Sequence, residues 1–296
     1  MKKMLMNWAG CGAVALLMTG TARAEVLLFN LADVKLSDET EANTFILKYN
    51  NTSASLTADG STLAWDGQTS NGKYTGILSY FDSVTLAVGE TLKLDYTFTT
   101  NDPSYFNTSA SNFRVYLLNS NGGRITDDIS TAVGDNIFNT NGYRGYVEGY
   151  NPRLTVNNPG SIQTKYKAGA NVFSTDFWGT VNSPTFINPN SQSITGSFAV
   201  ERTAEGLVLT SIVNGTTISV DVLNGYNIGG NNAFFDTFDT FGFFSLYGGT
   251  AGQSLLTFNN LSVILIPEPS VTFLLATGGA ILLALMAARR KRRCGC

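Results

Sequence analysis

The 296-residue sequence contains no histidine. That removes serine–histidine–aspartate and cysteine–histidine catalysis together, and with them zinc or iron sites built on imidazole. The three cysteines, Cys11, Cys294 and Cys296, all lie near the ends. Residues 25–266 therefore hold no thiol for nucleophilic attack or thiolate metal binding. Neither a Gly-x-Ser-x-Gly elbow nor a phosphate-binding P-loop occurs. What is left is carboxylate chemistry. Glycoside hydrolysis needs two acids about 5–10 Å apart across a cleft. Glu201 and Glu205 flank an expected turn and Asp127-Asp128 stands in an expected loop, and in an acidic protein such residues read as solvated charges.

Two further groups of residues carry binding chemistry. Asp236 and Asp239 in "NIGGNNAFFDTFD", and Asn119 to Asp128 in "NSNGGRITDD", supply hard oxygen donors of the kind calcium prefers. Neither stretch has EF-hand spacing, and Asn, Asp and Gly serve turns on their own account; the turn reading stands ahead of the calcium one. Tyr143, Tyr146 and Tyr150 in "YRGYVEGY", with Trp65 and Trp178 elsewhere, are candidates for glycan contact, because flat amphipathic rings suit the apolar faces of sugars. The competing reading places them in the sheets, where aromatic residues pack. Phe234, Phe235, Phe238, Phe241, Phe243 and Phe244 are expected to furnish the core.

The elements that must position these residues are strands. "TLKLDYTFTT" puts Leu92, Leu94, Tyr96 and Phe98 on one face and Lys93, Asp95, Thr97 and Thr99 on the other, the two-residue period of a half-buried strand. "SITGSFAVER" and "GLVLTSIV" alternate likewise, and Asn214-Gly215 between "LTSIV" and "TTISVDV" is a strong hairpin signal. Glu205-Gly206 is expected to turn the preceding pair. Further strands are expected at 26–31, 45–49, 75–81, 113–118, 143–147, 242–247 and 255–266. No convincing helical period appears between Glu25 and Ile266, so the expected fold is all-β, antiparallel sheets packed face to face in one sandwich over 25–266. Asn151 to Asn190, loop-rich and holding four prolines, reads as an excursion from it. Residues 25–266 carry 11 Lys and Arg against 21 Asp and Glu. That acidic surface disfavours nucleic acid and anionic membrane as partners.

The two ends are different in kind. Lys2 and Lys3 precede the apolar stretch Trp8 to Gly20, and Ala22-Arg23-Ala24 fits a small-x-small cleavage site, so residues 1–24 read as a signal peptide. At the other end Pro267-Glu268-Pro269-Ser270 leads into Val271–Ala288, 18 residues without a charge, followed at once by Arg289, Arg290, Lys291, Arg292 and Arg293. At about 1.5 Å per residue the uncharged stretch is just long enough for one transmembrane helix, and the basic cluster stops it on the cytoplasmic side. The two prolines hold a short extended segment immediately outside the membrane.

Triplet, span and basic cluster together, residues 267–293, resemble a PEP-CTERM sorting signal. The resemblance implies an exosortase-like membrane protease as partner, cutting at the Pro-Glu-Pro segment. It implies an inner-membrane-anchored intermediate and then release to the cell surface or extracellular matrix. Residues 25–266 resemble the jelly-roll sandwiches of concanavalin-like lectins and laminin-G-like domains, with "FDTFGFFSLYGG" and "LLTFNNLSVILI" as the closing strands. Glycosidases of that kind carry their acids on one strand as Glu-x-Asp-x-(x)-Glu, and no such run is present. The expected function is a non-enzymatic structural or adhesive component of the extracellular polysaccharide matrix, sorted through its C-terminal segment. The alternative is a carbohydrate-binding module; a carboxylate-based glycosidase ranks behind both.

Overall fold

The computed structural model describes residues 24–49, 54–68, 73–100, 112–130, 142–150, 161–165, 176–179, 193–228, 231–232, 234–247 and 254–268. Ala24–Glu268 form one compact unit. Its strands in chain order are β1 (Val26–Asn30), β2 (Thr44–Tyr49), β3 (Ser55–Ala58), β4 (Leu63–Gln68), β5 (Lys73–Thr85), β6 (Thr91–Thr100), β7 (Asn112–Asn119) and β8 (Arg144–Tyr150). They continue with β9 (Ser161–Lys165), β10 (Asp176–Gly179), β11 (Ser193–Arg202), β12 (Gly206–Val213) and β13 (Thr216–Leu223). The short pair β14 (Asn227–Ile228) and β15 (Asn231–Asn232) precedes β16 (Thr237–Tyr247) and β17 (Ser254–Ile266).

Two antiparallel sheets result. The first runs β13-β12-β11-β6-β17-β4-β3, with β1 also paired to β17; the second runs β10-β9-β8-β7-β16-β5-β2. Sequence neighbours often lie in different sheets, as β4, β5 and β6 do, so the chain crosses the sandwich repeatedly. Burial along β6 alternates without a break, and Leu92, Leu94, Tyr96 and Phe98 are all inward and sealed from solvent. A slip of one residue would put all four in water, so the alternation fixes the register. The β12–β13 hairpin turns at Asn214 and Gly215, both with positive φ (46° and 83°). This is the geometry Asn-Gly supports at low steric cost.

Between the sheets lies a core rich in aromatic rings. Phe98 and Phe258 of the first sheet meet Phe113 and Phe243 of the second, with ring centroids 4.9 Å apart for Phe98–Phe113 and 4.6 Å for Phe243–Phe258. Such tilted pairs add about 0.5–1.5 kcal/mol each beyond the burial of their area. A second apolar cluster covers the other face of the second sheet, where Phe45, Leu47, Leu78, Tyr80, Tyr116, Leu118, Val147 and Phe244 pack under Ile125 and Tyr143. Phe244, expected in the sandwich core, belongs to this outer cluster instead. Phe238, Phe241 and Phe243 do lie between the sheets, with Phe234 and Phe235 half-buried at the margin.

Two expectations about local structure change. The stretch 151–190 contains a paired hairpin, β9 with β10, and β9 extends the second sheet beside β8; it is therefore not simply a loop. Strands β3 and β4 were not expected at all: "SLTA" and "LAWDGQ" are too short to show a period. Among the described residues no helix is long and apolar enough to cross a membrane. The expected span at 271–288, the signal peptide at 1–24 apart from Ala24, Pro269, Ser270 and the basic cluster at 289–293 lie outside the described residues.

Candidate functional site

The polar residues that converge on an open cleft belong to three separate parts of the chain. After β1, Asn30 caps a single 3-10 turn (Leu31–Asp33): its Oδ1 accepts from Ala32 N at 2.7 Å, and Asp33 Oδ2 accepts in return from Asn30 N at 2.8 Å. This reciprocal cap satisfies amides that the short turn leaves free. The chain then folds back over residues 35–43. Leu36 N donates to Glu39 Oε1 at 2.8 Å, Lys35 Nζ pairs with Glu41 Oε2 at 2.8 Å, and Asn43 Nδ2 donates to Asp33 O at 2.8 Å. Lys35 also holds Glu41 below the usual carboxylate range, through their hydrogen bond and charge. Tyr80 N donates to Asn43 O at 2.9 Å, which ties the segment to β5.

The opposite wall comes from the turn after β7. Arg124 Nη2 donates to Phe81 O at 2.7 Å, its Nε lies 3.4 Å from Asp239 Oδ2, and its guanidinium sits 5.1 Å above the Tyr80 ring. Ile125 N donates to Tyr80 OH at 2.9 Å, and Tyr80 and Tyr143 share a hydroxyl–hydroxyl hydrogen bond. Burial raises the pKa of both phenols, so they remain neutral donors and acceptors. Together these walls enclose about 700 Å³. Asp33, Glu39, Glu41 and Asp82 rim the space with Ser37, Asn43, Thr126 and Arg124, over a base of Phe29, Phe45, Tyr80 and Phe81. Rim carboxylates accept hydrogen bonds; Arg124 and Asn43 supply donors.

The residues singled out from sequence are distributed differently. Tyr143 and Tyr146 are both buried and face opposite sides of the second sheet, Tyr143 in the outer cluster and Tyr146 between the sheets. Tyr146 OH accepts from Phe235 N at 2.8 Å. Neither ring offers a face to a ligand in solvent, because strand alternation turns every second side chain inward and the outer face is itself covered. The side chain of Tyr150 lies outside the described residues, as does that of Trp178. Trp65 is buried in the inter-sheet core.

Asp236 and Asp239 do not converge either. Asp239 is buried and accepts from Ser120 N at 2.7 Å, Ser120 Oγ at 2.5 Å and Thr240 Oγ1 at 2.7 Å. Asp236 lies 3.9 Å from Arg202 Nε. Among the described residues no group of three or more metal-binding side chains occurs. Asp128 seals a strand edge: its Oδ1 accepts from Ile46 N at 3.0 Å, beside the backbone bonds between Ile129 and β2. Glu201 and Glu205 are exposed. Of the Pro-Glu-Pro residues, Pro267 is half-buried and Glu268 exposed, directly after β17.

One titratable residue escaped the sequence reading. Glu148 on β8 is sealed between the sheets, with Oε1 accepting from Ser211 Oγ at 2.5 Å and Oε2 from Tyr96 OH at 3.5 Å. Desolvation pushes its pKa up to about 8, since a buried carboxyl resists ionisation. It stands two residues after Tyr146 in "YRGYVEGY", and that in-phase spacing is the signal that marks it as inward.

No family model matches the chain, and no curated protein matches it. Among solved structures it is similar to the legume lectin-like domain from Entamoeba histolytica, at 12% identity over 75% of this chain and 89% of that one, with a TM-score of 0.41. Peanut lectin in complex with a nine-residue peptide aligns at 12% identity over 82% and 97%, with a TM-score of 0.42. Alginate lyase Aly36B aligns at 15% identity over 75% and 96%, with a TM-score of 0.36.

Proposed function

We propose that the 24–268 unit is a carbohydrate-binding module of an exported protein, and that it holds neutral glycans without cleaving them. The observation that carries this reading is the open cleft of about 700 Å³ with carboxylates, an amide, hydroxyls and one guanidinium around its rim. Sugar hydroxyls both donate and accept, and a rim of this mixed composition matches them. The aromatic base is almost wholly buried, with Tyr80 and Phe81 each 4% exposed, so ring stacking contributes little. Hydrogen bonds to charged groups are worth about 1.5–3 kcal/mol each before ordering costs. Two or three of them give a Kd on the order of millimolar, suited to a repetitive polysaccharide rather than a single sugar.

The C-terminal segment supplies the address. Pro267-Glu268-Pro269-Ser270, the uncharged stretch and the basic cluster act as a PEP-CTERM-like sorting signal read by an exosortase-like protease, which delivers the module to the cell surface or matrix. Binding without cleavage is supported by chemistry: a general base near pH 7 has to be a carboxylate with a raised pKa or a lysine with a lowered one, and among the described residues the carboxylate with a raised pKa, Glu148, is sealed away from solvent.

The test is retention of the purified protein on a panel of immobilised polysaccharides, with reducing ends assayed in parallel. Retention on neutral polysaccharide that falls for Asp82→Ala, without release of reducing ends, is expected. Sustained release would show an enzyme, and absence of retention across the panel would favour a purely structural matrix role.

A further inference from the structure

Six large apolar side chains stand well exposed among the described residues: Val26, Leu27, Val88, Leu223, Tyr226 and Ile212. Strand pairing places five of them at one end of the first sheet. Val26 pairs with Leu265 on β17; Ile266 pairs with Thr91, and Thr91 with Glu201. Arg202 then pairs with Leu207, and Gly206 with Leu223. These contacts trace a rim across β1, β17, β6, β11, β12 and β13, about 24 Å wide at the usual strand spacing. Val88 lies in the turn that leads into β6, Tyr226 just beyond β13. Ile212 pairs with Thr217 beside the Asn214-Gly215 turn, about 17 Å along β12 from Leu207 at 3.3 Å per residue.

The chain leaves the described unit at this same rim. Glu268 lies against the backbone of Gly89: a Cβ on Gly89 would come within 2.5 Å of Glu268 Cγ, and Gly89 has a φ of +89° that side-chain-bearing residues avoid. Gly89 N donates to Arg202 O at 2.6 Å, which fixes the turn to β11. After Glu268 only Pro269 and Ser270 precede the 18 uncharged residues of Val271–Ala288, and two extended residues reach at most about 7 Å.

We propose that this rim is a lipid-contacting surface: Val26, Leu27, Val88, Leu223 and Tyr226 rest in the headgroup region of the bilayer while the protein is anchored. The inference rests on reading Val271–Ala288 as a membrane span. Scattered apolar side chains at the mouth of an anchor gain burial at the interface without having to form a continuous patch. The charges select the kind of lipid. Glu25, Glu90, Glu205 and Glu268 stand along the rim, whereas the Arg202 guanidinium is taken up by Thr203 O and Gly206 O, at 2.6 and 2.8 Å. A surface of zwitterionic headgroups suits this set; anionic headgroups repel it.

The full chain, with Cys11, Cys294 and Cys296 each replaced by serine, is reconstituted into phosphatidylcholine vesicles. It carries one fluorophore at Val88→Cys, Leu223→Cys or Ile212→Cys. Flotation reports anchoring, and nitroxide-labelled lipid reports proximity to the interface. The expected result is flotation, with quenching at positions 88 and 223 at least about twofold that at 212, since interfacial side chains sit within 5–10 Å of the boundary. Replacing a third of the lipid with phosphatidylglycerol is expected to weaken quenching at 88 and 223. Flotation with equal quenching at all three positions overturns the rim assignment and leaves the span reading intact. Failure to float overturns the span reading, and this inference with it.

Discussion

Replacing Glu148 by glutamine should change how stability depends on pH. The carboxyl is sealed between the sheets and its pKa is pushed up to about 8 from an ordinary value of 4.5. The folded protein therefore holds a proton that the unfolded chain releases above pH 4.5. Where the folded state binds more protons, stability falls as pH rises. The contribution of Glu148 is complete below pH 4.5, declines through the window from 4.5 to 8, and is exhausted above it. A tenfold difference in proton affinity between the folded and unfolded states is worth about 1.4 kcal/mol. The window therefore spans at most about 5 kcal/mol, of which roughly 3 is lost by pH 7. Glutamine cannot ionise, yet its carbonyl still accepts from Ser211 Oγ, so Glu148→Gln should match the wild type near pH 5 and exceed it by several kcal/mol near pH 8. Urea denaturation at unit steps from pH 5 to 8 is the assay. The other titrating groups are common to both proteins and cancel in the difference. Parallel pH profiles for the two proteins would refute the reasoning.

Three further outcomes follow, two from the packing of the sandwich and one from the proposed sorting signal. Phe98→Ala removes the ring that bridges Phe113 and Phe258 and should cost about 3–5 kcal/mol in chemical denaturation. Asp239→Ala leaves Ser120 N–H without its acceptor and removes the carboxylate partner of Arg124 Nε. It should cost about 1–3 kcal/mol of stability and also weaken glycan retention, which a purely structural Asp239 would leave unchanged. Mass spectrometry of surface-located protein should find the chain ending within or just before the Pro267–Ser270 segment. An intact peptide from Val271–Ala288 in that fraction would contradict sorting by cleavage.

The strands were legible where one face is buried and the other wet. Leu92, Leu94, Tyr96 and Phe98 are all inward, and the Asn214-Gly215 turn forms because both residues accept positive φ. The second sheet was harder to read because it is covered on both faces. Ile77 packs between the sheets and its neighbour Leu78 outside them, so β5 reads as an apolar run without a period. The same double coverage explains why Tyr143 and Tyr146 of "YRGYVEGY" look like a binding platform in sequence and are interior in the fold. The cleft was not legible at all. Asp33, Asp82 and Arg124 are far apart in the chain and meet only because β1, β5 and the turn after β7 converge, which no local pattern encodes. Glu148 was legible in principle, since its phase with Tyr146 already points it inward.

Glycan bound in the acid-rimmed cleft should shield its walls from solvent radicals. Hydroxyl-radical footprinting of the intact protein, with and without a saturating neutral polysaccharide, reads this out. Protection is expected in peptides spanning Asp33–Asn43 and Arg124–Thr126, with no change at the Asn214-Gly215 hairpin and loss of the protection in Asp82→Ala. Protection elsewhere on the sandwich with the cleft peptides unchanged would contradict binding in the cleft.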